Sequence, residues 1–242
     1  MIISVLNQKG GTGKTTTSIH LAMALGQRGF NTLLLDNDPQ GSVGVSLRLE
    51  PNRLPDVLLS KNSLASALIA KDSVKVLTGG KDLLEVESRL HRQPEILPGL
   101  FREKLCEMRS EYTVIDMAPS RSQLNRAALF YCDTALIPVA CDYLSLVGVR
   151  DIIEFIDEIN RERQDPIRIQ SILPTMYDSR SRISQESVKI LREHFSHLVA
   201  EPIRMTTRAK EAPSHGKTLY EYAKRSSAAL DYINFVDHFL QS

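Results

Sequence analysis

A glycine-rich stretch near the start of the chain, residues 9–16 with the sequence KGGTGKTT, constrains the fold more than any other feature. It follows an apolar run at residues 2–6 and precedes an apolar helical pattern at residues 17–29. Strand, glycine-rich loop and helix is the context of a phosphate-binding loop. In such a loop, backbone N–H groups and the positive end of the helix surround anionic oxygens. The competing interpretation is a glycine-rich turn that binds no ligand.

The general phosphate-loop pattern G-x-x-x-x-G-K-[ST] is matched at Gly13, Lys14 and Thr15, while Gln8 occupies the position of its first glycine. In this pattern the lysine ammonium contacts the β- and γ-phosphates of a nucleotide, and the hydroxyl that follows binds Mg²⁺. We therefore predict that Lys14 contacts phosphate and that Thr15 is a magnesium ligand.

Two further apolar runs end in aspartate, as strands beside a phosphate loop do when they contribute to metal binding. The run Thr32–Asp36 continues into Asn37 and Asp38, and the run Tyr112–Asp116 has the form of a Walker B strand. Carboxylates at the C-terminal ends of such strands predict Mg²⁺ and water chemistry. We predict that Asp116 holds Mg²⁺ through a water molecule.

Strand and helix patterns alternate along the whole chain. This alternation predicts one doubly wound α/β domain over residues 1–242, with a mainly parallel sheet flanked by helices. The predicted strands are Ile2–Leu6, Thr32–Asp36, Val74–Leu77, Tyr112–Asp116, Thr134–Val139, Ile167–Pro174 and Leu198–Pro202. The predicted helices are Lys14–Gln27, Leu54–Ser60, Leu64–Ile69, Leu83–Leu90, Gly99–Arg109, Leu124–Tyr131, Val147–Arg161 and Gln185–Phe195, with two more after Thr206.

The second lysine of the loop, Lys9, makes the stretch resemble the deviant Walker A motif of the ParA/MinD family of P-loop ATPases. The segment from Asp36 to Ser42 resembles the family's D-x-D-P-Q-G-N motif, with Ser42 in place of Asn. The residues after Asp116 resemble its D-x-P-P loop, with Ala118 in place of the first Pro. The resemblance covers nearly the whole chain. It is nearest to the small ParA type, which includes Soj-like and carboxysome-positioning McdA-like proteins, and it implies a SIMIBI-type P-loop fold.

The resemblance implies an ATP hydrolase that needs Mg²⁺, turns over slowly alone and is stimulated by a partner protein. In the family, the lysine matching Lys9 reaches the ATP of the other subunit, and the aspartate matching Asp38 orients the attacking water. The implied catalytic residues are thus Lys9, Lys14 and Asp38, and the implied metal residues are Thr15, Asp36 and Asp116. The implied nucleotide contacts are Gly10, Gly11, Thr12, Gly13, Lys14, Thr15 and Thr16, with Pro202 and Arg204 at the adenine pocket.

Charge is distributed unevenly, although the net charge of the chain is only +1. Between Arg180 and Arg225, ten Lys and Arg stand against five Glu, which gives this segment a local charge of +5. A local basic face of this kind suits non-specific binding to DNA phosphates. The candidate DNA contacts are Arg204, Arg208, Lys210, Lys217 and Arg225. A solvated basic surface without a ligand is the alternative interpretation.

Together these features predict a ParA-type positioning ATPase that forms a sandwich dimer with ATP and binds double-stranded DNA. A ParB-like or other cargo adaptor would release it from DNA by stimulating hydrolysis. The cargo would be a plasmid, a chromosome or a protein organelle such as a carboxysome. We expect it in the cytoplasm, on the nucleoid, because no signal peptide or spanning apolar run is evident.

Three other functions remain as alternatives. A MinD-like membrane ATPase needs a C-terminal amphipathic helix with a basic face, but residues 231–240 contain aspartates and neither Lys nor Arg. An iron–sulfur ATPase of the nitrogenase type needs paired cluster cysteines, and Cys132 and Cys141 lie in no recognisable cluster loop. Metabolic enzymes of the superfamily, such as dethiobiotin synthetase, are a third alternative, but their chemistry does not require a lysine at the position of Lys9.

Overall fold

The chain forms one seven-stranded sheet in a computed structural model that describes residues 1–241, with residues 143–147 described through their backbone alone. The strands are β1 Ile2–Val5, β2 Thr32–Asn37, β3 Ile69–Lys71, β4 Val74–Leu77, β5 Tyr112–Met117, β6 Thr134–Ala140 and β7 Arg168–Thr175. Their order across the sheet is β3-β4-β2-β5-β1-β6-β7. All neighbouring strands run parallel except β3, which is antiparallel to β4.

Helices connect the strands and follow the last one. Within residues 1–241 they are α1 Lys14–Gln27, α2 Ser42–Leu47, α3 Arg53–Leu58, α4 Leu64–Ala67, α5 Leu83–Arg92, α6 Leu100–Lys104, α7 Gln123–Tyr131, α8 Tyr143–Asn160, α9 Arg182–Phe195, α10 Arg208–Glu211, α11 Leu219–Tyr222 and α12 Ser227–Phe239. Short 3₁₀ turns lie at Pro94–Ile96, Ser196–Leu198 and Ala212–His215.

Hydrophobic side chains cover both faces of the sheet. Along β2, Leu33 and Leu35 pack into a cluster with α3, α5, α6, α7 and α8, whereas Leu34 packs into a second cluster with α1, α2, α11 and α12. Successive side chains of a strand point to opposite faces, so a strand buried on both faces must be apolar throughout. The predicted fold class, a doubly wound and mainly parallel sheet flanked by helices, is therefore confirmed.

Three predicted elements differ from the structure. The helix predicted over Leu64–Ile69 ends at Ala67, because Ile69 begins β3 and pairs with Val76 of β4. The helix predicted from Gly99 to Arg109 is confined to Leu100–Lys104, after which the chain turns towards β5.

The last predicted strand, Leu198–Pro202, is not a strand in the structure. The chain beyond Leu198 runs beside β7 and forms isolated bridges, from Val199 to Ile172 in β7 and from Arg204 to Tyr177 just beyond it, and the Ile203 N–H donates to the Pro174 carbonyl at 2.8 Å. Pro202 lies between these two bridges and has no N–H group to donate, so it interrupts the ladder. Ser242, the last residue of the predicted domain, lies outside the described residues.

None of the helices described for residues 1–241 is both long enough and apolar enough to cross a membrane.

Candidate functional site

The loop between β1 and α1 has the backbone of an anion-binding turn. Gly11 and Gly13 have φ angles of 76° and 83°, in the left-handed region that favours glycine. Gly13 forms the N-cap of α1, and its carbonyl accepts the first helical bond from the Thr17 N–H at 2.8 Å. From the end of β7, the Thr175 hydroxyl donates to the Thr12 carbonyl at 2.8 Å. The predicted nucleotide loop, residues 10–16, is therefore ordered around the start of α1.

The two lysines of this loop lie in different surroundings. Lys14 is buried, and its Nζ donates to the Lys9 carbonyl at 3.0 Å. Burial lowers the pKa of Lys14, and the carboxylates of Asp116 and Asp38 oppose that decrease. Its ammonium thus lies inside the loop and close to the predicted metal residues.

Lys9 lies at the surface, with 36% of its side chain exposed. Its Nζ donates to the two carboxylate oxygens of Asp142 at 2.8 and 3.1 Å. The Lys9 backbone N–H donates to Asn7 Oδ1 at 2.9 Å, which fixes the start of the loop. Asp142, just before α8, is a contact that sequence reasoning did not identify.

Asp36 and Asp116 are brought side by side by the register of β2 and β5, which pairs these two residues directly. Both carboxyl groups are buried. Burial raises the pKa of each, and the nearby Asp116 charge raises the pKa of Asp36 further. Two adjacent buried carboxylates need a nearby cation if both are to be ionised.

The hydrogen bonds of this pair leave one oxygen open. Asp36 Oδ2 accepts the Val43 N–H at 3.0 Å, and Asp116 Oδ1 accepts the Ser18 hydroxyl at 2.9 Å. Within the described residues, Asp116 Oδ2 is buried and has no hydrogen-bond partner. An unpaired buried carboxylate oxygen beside the Thr15 hydroxyl suits a hydrated Mg²⁺ ion. The residues present therefore fit the predicted metal.

Asp38 is also buried, just beyond the end of β2, and its Oδ1 accepts the Gln40 N–H at 2.8 Å. Sequence reasoning assigned no role to Gly79, which packs against this turn. A Cβ atom at residue 79 would lie 2.5 Å from the Asp38 carbonyl oxygen and 2.6 Å from that of Asp36. Only glycine fits there, and the Gly79-Gly80 pair after β4 was the available sequence signal.

The two residues predicted for the adenine pocket face different cavities. Arg204 lines a cavity of about 190 Å³ with Tyr177, just beyond the end of β7, whereas Pro202 lines one of about 440 Å³ with Ser171, earlier in the strand. The Arg204 guanidinium is held by Asp231, with Nη2 donating at 2.6 Å and Nε at 2.9 Å. Arg204 forms a bridge with Tyr177, two residues beyond the end of β7, and therefore lies closer than Pro202 to the carboxyl edge of the sheet.

The predicted DNA contacts divide into two groups. Arg204 and Arg208 pair with carboxylates of Asp231 and Glu211, at 2.6 and 2.8 Å. The ion pairs among the described residues do not include Lys210, Lys217 or Arg225, and all three side chains are exposed. All five predicted cations are exposed, and three of them have no carboxylate partner among the described ion pairs.

A buried histidine that the sequence did not reveal as important joins α1 to the C-terminal segment. His20 Nδ1 bonds to the Thr16 carbonyl at 2.6 Å, and its Nε2 accepts the Leu219 N–H at 2.8 Å. The ring stacks on Tyr232 and meets Tyr220 edge-on. Because Nε2 must accept, the imidazole is neutral, and burial lowers its pKa to about 4.

Comparison with known proteins gives similar relatives over almost the whole chain. A family model described as an AAA domain matches residues 1–169. The chromosome-partitioning ATPase Soj of Thermus thermophilus is 34% identical over 231 residues, which cover 95% of this chain and 91% of that protein. The chromosome partitioning protein ParA of Myxococcus xanthus is 33% identical over 241 residues, covering 96% and 85% respectively.

Solved structures share the fold over nearly the full length. A cobyrinic acid a,c-diamide synthase from Mycobacterium smegmatis with bound ADP and magnesium has a TM-score of 0.84 and 26% identity, covering 99% of this chain and 94% of that chain. An ATP complex of a Cyanothece McdA variant has a TM-score of 0.86 at 20% identity and covers 99% and 96%. The septum site-determining protein MinD of Pyrococcus horikoshii with Mg-ADP has a TM-score of 0.81 at 20% identity and covers 98% and 94%.

Proposed function

The chain belongs to the ParA/Soj family of P-loop ATPases, and from this membership we propose a Mg²⁺-dependent ATPase that positions cargo on DNA. ATP would close a sandwich dimer that binds double-stranded DNA without sequence preference. A ParB-like or other cargo adaptor would stimulate hydrolysis, which is slow in the protein alone. The cargo would be a plasmid, a chromosome or a protein organelle such as a carboxysome, and the protein would act in the cytoplasm on the nucleoid.

The residues around the loop divide the chemistry among them. Backbone groups of residues 10–16 surround the phosphates, and Lys14 balances charge on the transferred group. Thr15, Asp36 and Asp116 would hold Mg²⁺, which supplies charge neutralisation when bound. Asp38 orients the attacking water. Phosphoryl transfer depends mainly on positioning and electrostatic stabilisation, so no strong general base is needed.

One observation carries the dimer proposal, the separation of the two loop lysines. Lys14 is buried in its own loop, while the Lys9 ammonium lies outside it, at the surface and beside Asp142. Exchanging Asp142 for the phosphates of a second subunit would replace one charge-assisted contact by another. A cation supplied in trans makes association depend on ATP and adds charge stabilisation to the transition state.

Membrane attachment of the MinD kind is the second candidate, and the position of α12 argues against it. The apolar side chains of α12, including Tyr232, Phe235, Val236 and Phe239, are buried against α1 and the sheet. An interfacial helix must present such a face to lipid. Freeing this one would expose part of the second hydrophobic cluster.

The test is binding of the purified protein to non-specific duplex DNA with Mg-ATP and with Mg-ADP, across a salt series. We expect binding with ATP only, and a steep fall in affinity as salt rises, because phosphate contacts release counterions. Equal binding with both nucleotides would contradict the ATP-dependent dimer. Absence of binding in both states, together with ATP-dependent binding to anionic liposomes, would favour the membrane candidate.

A further inference from the structure

The helix α2 begins at the metal residues. The Val43 N–H in its first turn donates to Asp36 Oδ2 at 3.0 Å, and the Gly41 carbonyl accepts the Val45 N–H at 3.0 Å. Gly41 itself donates to the Asp38 carbonyl at 2.9 Å. Any change in how Asp36 and Asp38 engage a nucleotide therefore acts directly on the start of α2.

The other end of α2 meets the basic segment. Arg48, the residue after the helix, has a left-handed φ of 53° and donates Nη2 to the Ser214 carbonyl at 2.5 Å. Its aliphatic chain crosses Gly216, where an added Cβ would lie 2.7 Å from Arg48 Cδ. Beneath this contact, Leu47 and Ala212 are buried in the same hydrophobic cluster.

Lys217 lies between two contacts of its segment, the Arg48–Ser214 hydrogen bond and the hydrogen bond from Leu219 to His20. His20 joins the Thr16 carbonyl to the Leu219 N–H, so α11 is held to the first turns of α1. Thr15, Thr16, Ser46 and Lys217 line one cavity of about 210 Å³ between these elements. The exposed Lys217 thus lies on a segment that contacts Arg48 at one end of α2 on one side and His20, which bonds to Thr16 of the predicted nucleotide loop, on the other.

We infer that Arg48 is a positioning residue, which couples Asp36 and Asp38 through α2 to residues 208–217 of the basic segment. A helix of six residues is rigid and about 9 Å long, so displacement of its start moves its end. Nucleotide state is thereby passed to the surface that carries Lys217. The inference rests on the proposed function in placing the nucleotide at Asp36 and Asp38 and in naming DNA as what that surface binds.

Hydrogen–deuterium exchange of the full-length protein tests this coupling without DNA. Exchange is measured with Mg²⁺ and a non-hydrolysable ATP analogue, with Mg-ADP, and without nucleotide. The informative amides are those of Gly216 and Lys217, which donate to the Pro213 and Ala212 carbonyls at 2.9 and 3.1 Å. In the wild type their exchange rates should differ between the two nucleotides by about tenfold, the change expected when the local opening free energy shifts by about 1.4 kcal/mol.

Arg48→Met keeps an unbranched side chain as far as the position of Nε and removes the guanidinium donor. Arg182→Met removes the same charge from α9, where Arg182 is 89% exposed and pairs only locally with Glu186 in the described ion pairs. We expect the nucleotide dependence at Gly216 and Lys217 to disappear in Arg48→Met and to persist in Arg182→Met. Protection of residues 10–16 by nucleotide should be the same in both variants.

The ratio of DNA affinities in ATP and ADP gives the second readout. Loss of one positive charge lowers both affinities together and leaves the ratio unchanged, whereas loss of coupling lowers the ratio itself. Nucleotide-dependent exchange at Lys217 that survives in Arg48→Met would overturn the inference. If the wild type binds no DNA, the proposed function fails, while the exchange experiment still decides the coupling.

Discussion

The carboxyl edge of the sheet and the basic segment from Arg180 to Arg225 balance charge in opposite ways. At the sheet edge, Asp36 and Asp116 are buried next to each other, and one carboxylate oxygen lacks a partner in the described part of the chain. In the basic segment, the charges are exposed, and Arg204 and Arg208 are neutralised by acidic neighbours. The buried carboxylates of the first region need a cation to balance their charge, whereas the charged side chains of the second region are already solvated.

The difference indicates which part of the proposed function a single subunit contains. Buried, under-satisfied groups are costly unless a ligand compensates them, so the buried carboxylates of the proposed metal site are already brought together within one chain. Each exposed cation interacts weakly with phosphate, and the affinity for DNA increases with the number of such contacts. A dimer doubles their number without changing any contact, which explains why DNA binding would follow ATP-dependent association. The variants that follow test the two regions separately.

Replacing Lys9 by Ala should have the largest effect, because the proposed function assigns this residue to the ATP of a second subunit. We expect no dimer in light scattering with Mg-ATP, and a decrease in phosphate release of about a thousandfold, the range measured for cations supplied in trans. Lys61→Ala, which removes an exposed lysine paired with Glu85, is the control. A Lys9→Ala dimer with normal affinity would assign the trans contact to another residue.

Asp38→Ala should separate binding from hydrolysis. If Asp38 positions the attacking water as proposed, turnover should fall by about a hundredfold, while ATP still binds and the dimer accumulates. Single-turnover hydrolysis and light scattering measure the two properties independently. Asp38→Asn retains an acceptor for the Gln40 N–H and controls for damage to the turn. Turnover at the wild-type rate in both variants would mean that another group positions the water.

The two regions also differ in how far sequence predicts them. At the sheet edge, loop glycines, lysines and strand-end aspartates follow a fixed spacing, and their juxtaposition follows from the parallel sheet. The direct pairing of Asp36 with Asp116 and the close approach of Gly79 depend on register and backbone distance, which spacing does not encode. The edge strand β3 was missed because pairing with β4 outweighed a helical pattern.

In the basic segment, sequence predicts composition but not pairing. Arg204 pairs with Asp231 of α12, far along the chain, whereas Lys217 has no carboxylate partner among the described ion pairs. The strand predicted at Leu198–Pro202 failed for a different reason, because a proline on an edge interrupts a ladder that the apolar pattern alone would continue. Pairing between distant residues, as in Arg204 and Asp231, depends on the fold and is not encoded in local sequence.

His20 lies between the two regions and predicts a pH dependence of stability. Its pKa is lowered to about 4 by burial, against about 6.5 in an unfolded chain. Tyr220, Tyr232 and Glu221 surround it. The unfolded state alone takes up this proton below pH 6.5, so the contribution of His20 to the free energy of unfolding should fall by about 1.4 kcal/mol per pH unit down to pH 4. Asp36 and Asp116 contribute a slope of the opposite sign, because their raised pKa values let the folded state take up protons first.

Urea denaturation between pH 4.5 and 7.5 measures this decrease. The stability contributed by His20 is complete above pH 6.5 and should be reduced by on the order of 3 kcal/mol at pH 4. His20→Gln, which cannot take up the proton, should lose this component of the slope. His91→Gln, at an exposed histidine, should keep it. An unchanged slope in His20→Gln would contradict this assignment, because the buried Asp36 and Asp116, whose pKa values are raised, stabilise the folded state as the pH falls.

The smallest expected effect is on DNA binding, and it distinguishes the cations of the basic segment that pair with a carboxylate from those that do not. Lys217→Ala with Arg225→Ala removes two exposed charges, and each lost phosphate contact should reduce the salt slope of log Kobs by about 0.9 and together weaken binding by about tenfold. Arg182→Ala with Arg208→Ala removes two charges that are already paired with Glu186 and Glu211. This double variant should change the slope less, because those cations must give up a carboxylate before they bind phosphate. Equal slopes for the two double variants would mean that the pairs open on DNA at little cost, and that exposure in the unbound protein does not identify the binding residues.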